Sequence, residues 1–320
     1  MPLTIPVLDI DRDPAEVGRE IDETLRTVGF FQIVGHGVRP DTADACWNAA
    51  RAFFDLPLDA KEEVDRGDGL YGYFPMRSES LAKSRGDTAP GDLKESFNMG
   101  PLAGPAHRDA DADEAALFAP NRWPSALPEM RTAWERYFAE MSRLADRLMS
   151  IFARGLDLPA DFFAQHIDAS PRALRAINYP AQPLPVLEGQ LRAGVHTDYG
   201  TLTILRQETG RGGLQVHDGR SDAWVDVPAV DGAFVINIGD LMARWTNDRW
   251  TSTLHRVINP DAGSAVSTRR QSMPFFHNAN YSALVEALPT CVGPGEQPRY
   301  EPVLAGPHLA GKSRKSVAPS

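Results

Sequence analysis

What most constrains the fold of this chain is the texture of its second half. After Ala173 the sequence breaks into short runs rich in β-branched and aromatic residues, over 174–179, 202–207, 214–216, 223–227, 234–238, 255–257 and 272–276, separated by Gly, Pro, Asn and Asp. Strands this short and this closely spaced predict an antiparallel sandwich or barrel rather than a parallel sheet, which would need a crossover helix between each pair. The first half reads differently. A short strand over 5–10 precedes a helix whose apolar positions Val17, Ile21, Leu25 and Val28 recur at three- and four-residue steps. A β-rich run over 29–34 then ends in Gly35-His36-Gly37, and a second helix is expected over 41–54. From 65 to 128 the chain is rich in Gly, Pro, Asp and Ala without a strong period, and it reads as long loops. Met130, Trp134, Tyr137, Met141, Leu144, Leu148 and Phe152 mark one long amphipathic support helix between 128 and 156.

The expected class is therefore α+β, mainly β. An N-terminal region of helices and loops over 1–128 and a support-helix region over 129–170 pack on a β-barrel over 171–280. A C-terminal segment over 281–320 follows, with a frayed tail over 311–320. At 320 residues one large core suffices for all of this.

Composition removes several classes of function. A formal net charge of −10 argues against a nucleic-acid or anionic-membrane surface, which needs a concentrated excess of Lys and Arg. No run approaches the roughly 20 apolar residues of a membrane span, and the N-terminus lacks a charged segment followed by an apolar one, so the cytoplasm is the default location. Only Cys46 and Cys291 are present, too few for a disulfide framework and without the paired spacing of a zinc knuckle.

Chemistry concentrates in Gly194-Val195-His196-Thr197-Asp198-Tyr199-Gly200. On a strand, residues two apart project to one face, so His196 and Asp198 are expected to offer an imidazole and a carboxylate to one point. Taken alone the pair is weak, because any short sequence can contain it. A third donor appears as His255, in Ser252-Thr253-Leu254-His255-Arg256-Val257, far enough on for several antiparallel strands to return the chain to the same face. Two His and one carboxylate on one side of a metal leave open positions opposite, the arrangement of non-haem Fe(II) oxygenases. Beyond His255 comes Arg270-Gln271-Ser272, a guanidinium and a hydroxyl two apart on an expected strand, able jointly to hold a carboxylate.

With these residues in view, the chain resembles the isopenicillin N synthase-like family of Fe(II)- and 2-oxoglutarate-dependent dioxygenases over nearly its whole length. The resemblance rests on Ile5-Pro6-Val7-Leu8-Asp9, Gly29-Phe30-Phe31-Gln32-Ile33, Gly35-His36-Gly37 and Asp92-Leu93-Lys94-Glu95-Ser96-Phe97. It continues in the metal motif, Gly213-Leu214-Gln215-Val216, Asn237-Ile238-Gly239-Asp240, the segment around His255 and Arg270-x-Ser272. It implies a distorted double-stranded β-helix, or jelly roll, with flanking and N-terminal helices. It further implies that His196, Asp198 and His255 bind Fe(II), and that Arg270, Ser272 and the Tyr179 of Asn178-Tyr179-Pro180 hold 2-oxoglutarate. The implied reaction is oxidation of a small molecule with O2 and 2-oxoglutarate, giving succinate and CO2. By the same resemblance Thr203, Leu205, Gln207, Phe276 and His277 line the substrate pocket, while Tyr71, Tyr73 and Phe97 from the irregular stretch are candidates for a lid. Two other readings stay open at this level. One is an iron oxidase of the same fold that takes all its electrons from substrate, with Arg270 and Ser272 anchoring a substrate carboxylate; the other is a non-catalytic ligand-binding module.

Overall fold

In the computed structural model, residues 3–67, 69–86, 89–104, 110–181, 186–260 and 268–317 are described. Two facing sheets dominate. In chain order their strands are β1 (Val7–Asp9), β2 (Phe30–Val34), β3 (Gly72–Phe74), β4 (Glu95–Met99), β5 (Ala173–Tyr179), β6 (Ala193–His196), β7 (Leu202–Gln207), β8 (Leu214–Asp218), β9 (Ala223–Asp226), β10 (Phe234–Ile238), β11 (His255–Val257) and β12 (Arg270–His277). The larger sheet runs β1-β2-β10-β7-β12-β5-β4-β3 and the smaller β6-β11-β8-β9. Pairing is antiparallel except between β1 and β2, where the helix Pro14–Leu25 makes the crossover that a parallel pair requires. This is the expected jelly roll.

Strand alternation decides what each face of the larger sheet does. Phe31 and Ile33 of β2, Leu202 and Ile204 of β7, Phe234, Ile236 and Ile238 of β10, and Met273 and Phe275 of β12 point outward. There they pack on the helices Pro14–Leu25, Pro40–Phe54 and Pro128–Gly155 in the main core. Their neighbours Phe30, Leu205, Val235, Ile177 and Tyr179 point inward, toward Ala193, Leu214, Val216 and Val257 of the smaller sheet. The inward face also carries the polar residues of the site, so burying the outer face against helices frees the inner one for chemistry. Helix starts follow the sequence: Asp13 caps Pro14–Leu25 by accepting from the Ala15 and Glu16 amides, a contact of about 1 kcal/mol.

The structure departs from the sequence reading in three places. The stretch 65–128 is not loop alone, because β3 and β4 extend the large sheet beyond β5. With β1 and β2 at the opposite end, the N-terminal region thus supplies strands as well as helices and loops. Glu95-Ser96-Phe97-Asn98-Met99 escapes notice because its polar/apolar alternation lasts only from Ser96 to Met99 within a Gly-, Pro- and Asp-rich stretch. The C-terminal tail is not frayed where it is described, since a helix spans Ala305–Val317. Its Lys312 ammonium donates to Asp240 Oδ2 at 2.8 Å. The expected strand for the metal motif ends at His196, leaving Asp198 beyond it.

Candidate active site

β6 and β11 pair antiparallel with His196 directly opposite His255, which sets the imidazoles side by side with ring centroids 4.2 Å apart. Each ring is oriented by its own backbone. His196 Nδ1 lies 2.7 Å from the Gly194 carbonyl and His255 Nδ1 3.1 Å from that of Thr253. Nδ1–H donates in each case, which leaves both Nε2 lone pairs for a metal. Phe30 packs edge-on against His255 at 5.2 Å.

Asp198 arrives by a different route from the one its spacing predicts. It sits in the turn after β6, strapped by the N-terminus of the helix Asp240–Trp245. The Asp240 amide donates to the Asp198 carbonyl at 2.8 Å and the Leu241 amide to that of Tyr199 at 3.2 Å. Gly239 permits this approach: a Cβ there would stand 2.4 Å from the Gly200 carbonyl oxygen and 2.9 Å from that of Asp198. The carboxylate is then fixed through Oδ2, which accepts from Thr203 Oγ1 at 2.6 Å and Asn237 Nδ2 at 2.7 Å. Oδ1 remains, 3.7 Å from His255 Nε2. One ligand atom from each of His196, Asp198 and His255 falls within 4.8 Å of the others, a potential iron site. The protonation of His196 and Asp198 suits it. Burial, reinforced by His255, pulls His196 down to about 3. Burial would raise Asp198, but His255, His196 and the Asn237 and Thr203 hydrogen bonds outweigh it and keep the carboxyl below its ordinary range. Neutral imidazoles and an anionic carboxylate are the forms that bind metal.

The site opens into a cavity of about 240 Å³ between the sheets. Arg270, at the start of β12, pairs across to Tyr179 at the end of β5, and Ser272 follows two residues on, on the same face. The Arg270 guanidinium lies over the Tyr179 ring, 5.0 Å from its centroid, and donates from Nη2 to Gln207 Oε1 at 3.3 Å. Its Nε and Nη1 are buried without a partner among the described residues. Burial lowers its pKa, against the opposing pull of Tyr179 and Glu208.

Other expected pocket residues divide into those that line the cavity and those that do not. Thr203, Leu205, Phe276, His277 and Tyr71 line the cavity. Gln207 does not and instead braces Arg270. Tyr73 and Phe97 face away from the cavity. Tyr73 donates to Glu95 at 2.6 Å, and the Phe97 ring packs on Phe53 and Trp134 at 4.8 and 5.2 Å. Their even-numbered neighbours Phe74 and Asn98 are the ones that reach the cavity. Asn178 likewise points outward, between Glu95 and Arg269, while Ile177 lines the pocket. Sequence reasoning missed Glu79, Lys94, Asn98 and Arg175, which also line the cavity, as do Leu309 and Ser313 of the C-terminal helix. Asn237 stood in a quoted motif, but only the fold showed what it holds.

With this geometry in view, comparison with known proteins is decisive. Residues 5–126 match the model for the N-terminal region of the non-haem dioxygenase in morphine synthesis, and 171–279 match that of the 2OG-Fe(II) oxygenase superfamily. A 2-oxoglutarate-Fe(II) type oxidoreductase of Emericella nidulans is 35% identical over 94% of this chain and 85% of its own. The chain belongs to the 2OG-Fe(II) oxygenase superfamily. Validamycin A dioxygenase of Streptomyces hygroscopicus subsp. limoneus is also 35% identical, over 91% of this chain and 81% of its own. Among solved structures, a full-length Neurospora crassa protein in complex with alpha-KG and thymine superposes with a TM-score of 0.83 at 30% identity, covering 97% of this chain and 96% of that one. A putative 2OG-Fe(II) oxygenase family protein from Caulobacter crescentus gives 0.83 at 28% identity, over 98% and 99%. The protein is thus a 2-oxoglutarate-dependent Fe(II) dioxygenase acting on a small molecule. Among the described residues no helix is long and apolar enough to cross a membrane.

Proposed function

We propose that His196, Asp198 and His255 hold Fe(II), and that Arg270, Ser272 and Tyr179 seat the distal carboxylate of 2-oxoglutarate. The observation that carries this reading is the pair of unpartnered nitrogens on Arg270. A fully buried guanidinium with vacant donors is costly, and a carboxylate meets such a donor with a charge-assisted hydrogen bond. Bound there, Fe(II) and 2-oxoglutarate supply the oxidising chemistry with O2, and the cosubstrate leaves as succinate and CO2. The chain's own residues do the rest. Thr203 and Asn237 hold one oxygen of Asp198 so that the other faces the imidazoles. The Gly194 and Thr253 carbonyls fix the two rings, and Phe30, Ile177, Leu205 and Val257 keep the cavity wall apolar and exclude water.

A cavity of about 240 Å³ shared by cosubstrate and substrate favours a compact metabolite, and the thymine bound in the Neurospora crassa structure is of that kind. Nucleic acid is disfavoured as a partner by the net charge of −10. The free thiols of Cys46 and Cys291 suit the cytoplasm, where Fe(II) also persists. The division into N-terminal region, support helix, jelly roll and C-terminal segment assigns all six cofactor-binding residues to 171–280.

Anaerobic titration with Fe(II) and then 2-oxoglutarate tests the reading. A weak visible charge-transfer band should develop in the wild type and be absent in His196→Ala, and a folded wild type that gives no band would sink it. Succinate formed in step with product separates this chemistry from an oxidase that draws every electron from its substrate.

A further inference from the structure

Arg192 stands where three strands of the site begin or end. It immediately precedes β6, which carries His196, and its residue is 4% exposed. Its Nη2 donates to the carbonyl of Pro180, the residue after Tyr179, at 3.3 Å, and to the carbonyl of Thr268, two residues before Arg270. The guanidinium lies 5.8 Å from the centroid of the Tyr179 ring, and that of Arg270 lies 5.0 Å from the same centroid. One side chain from the lead-in to the smaller sheet thus ties the end of β5 to the approach of β12 in the larger one. Those are the strand ends whose register sets Tyr179 opposite Arg270. A guanidinium suits the task, because its planar fork can reach two carbonyls while it rests against an aromatic ring.

Holding two carbonyls needs donors but no charge, yet a charge is buried here. Burial, reinforced by Arg270 and Arg211, pulls the Arg192 pKa down to about 10, and only Tyr179 opposes them. Its Nε is buried without a partner among the described residues. Carboxylates in the neighbourhood are paired with other cations. Glu208, which acts on Arg270, pairs with Arg51 at 2.9 Å, and Asp92 pairs at 3.0 Å with Lys94, a third cation beside Tyr179. Two buried guanidiniums of like sign around one phenol ring are costly unless an anion joins them.

We infer that Arg192 is a positioning residue for the cosubstrate: it staples the strand ends that carry Tyr179 and Arg270, and it adds a second positive charge that draws the distal carboxylate of 2-oxoglutarate to them. It acts through Tyr179 and Arg270 and through its field, and it does not line the cavity. A monocarboxylic 2-oxo acid, which has no distal carboxylate, gains nothing from it. The inference rests on the cosubstrate reading, because that reading places the carboxylate between Arg270, Ser272 and Tyr179.

The test loads the full chain anaerobically with Fe(II) and titrates it with 2-oxoglutarate or with 2-oxopentanoate, which has the same 2-oxo acid head but a methyl group in place of the distal carboxylate. Binding is read by the charge-transfer band. Arg192→Met should weaken 2-oxoglutarate by about 10-fold or more, the scale of one charge acting across a partly screened interior, and leave 2-oxopentanoate unchanged. Arg192→Lys, which restores the charge and a donor, should recover most of that loss. A band with 2-oxopentanoate reports that a variant is folded and holds iron. Should Arg192→Met give none, Arg192→Gln, which keeps a donor without the charge, decides in the same way. An equal loss of both oxo acids, or no band with either in both Arg192→Met and Arg192→Gln, would reduce Arg192 to a structural brace and overturn the inference. Unchanged 2-oxoglutarate affinity in a band-forming Arg192→Met, or an Arg192→Lys that binds it no better than Arg192→Met, would overturn it as well. A wild type that binds the two oxo acids equally tightly would instead remove the distal-carboxylate site beneath it, so the two failures are told apart.

Discussion

Two parts of the cavity wall are built by different means. His196, His255, Arg270, Ser272 and Tyr179 stand on paired strands of the sandwich, and their spacing follows from strand register. Elsewhere in the wall, Glu79 and Leu81 come from a stretch of short elements in the N-terminal region, and Leu309 and Ser313 from a helix more than 200 residues later. Positions set by register are costly to move, because a slip of one residue turns every side chain to the opposite face. Positions set by loops and a terminal helix shift without disturbing the sandwich. On the proposed assignment, this chain keeps its iron and cosubstrate residues on the part of the cavity wall that strand register makes least adjustable.

That contrast can be broken by substitution. His196→Ala has the largest expected effect, with loss of Fe(II) binding by metal analysis and turnover below detection. Arg270→Ala should retain iron while 2-oxoglutarate affinity, measured by the charge-transfer band, falls about 100- to 1000-fold, the range for a buried charged anchor. Equal loss of iron in both variants would collapse the division between metal and cosubstrate residues. Thr203→Val removes one of the two hydrogen bonds on Asp198 Oδ2 and should weaken Fe(II) binding by about 10- to 100-fold. An unchanged iron affinity would return Thr203 to the substrate pocket alone. The smallest effect on the site is expected from Phe97→Ala. It should lower folding stability by about 3–5 kcal/mol in denaturant unfolding while leaving the 2-oxoglutarate affinity of the folded protein unchanged. A selective loss of cosubstrate or substrate binding would make Phe97 part of the cavity after all.

Legibility in the sequence follows the same division. The candidate metal residues could be named because two His and one carboxylate recur in an order that metal chemistry demands, and the cosubstrate residues because the family resemblance implies them. Their geometry was less legible. Asp198 shares a face with His196 not through strand alternation but because Gly239 lets a helix N-terminus press against the turn that carries it. Tyr73 and Phe97 were expected at the lid on the strength of aromatic side chains in an irregular stretch. The strands β3 and β4 turn both to the helical core and present Phe74 and Asn98 instead. No pattern in the sequence announces which face of a short edge strand is the inner one, since that depends on the strand it pairs with, about 80 residues away in β5.

By itself, then, the sequence determined the antiparallel class through the frequency of its turns, the long support helix through its apolar period, and the candidate iron residues through donor type and order, while the proposed 2-oxoglutarate residues came with the family resemblance. Those are properties of local geometry and of chemistry that few residue types can perform. Tertiary structure alone decided that Gly72–Phe74 and Glu95–Met99 join the large sheet as strands, that Asn237 and Thr203 hold Asp198, and that the C-terminal helix contributes Leu309 and Ser313 to the cavity wall. Each of these is a contact between segments remote in sequence, and the free energy that selects it comes from burial and hydrogen bonding across the folded core rather than from any preference of the segment alone.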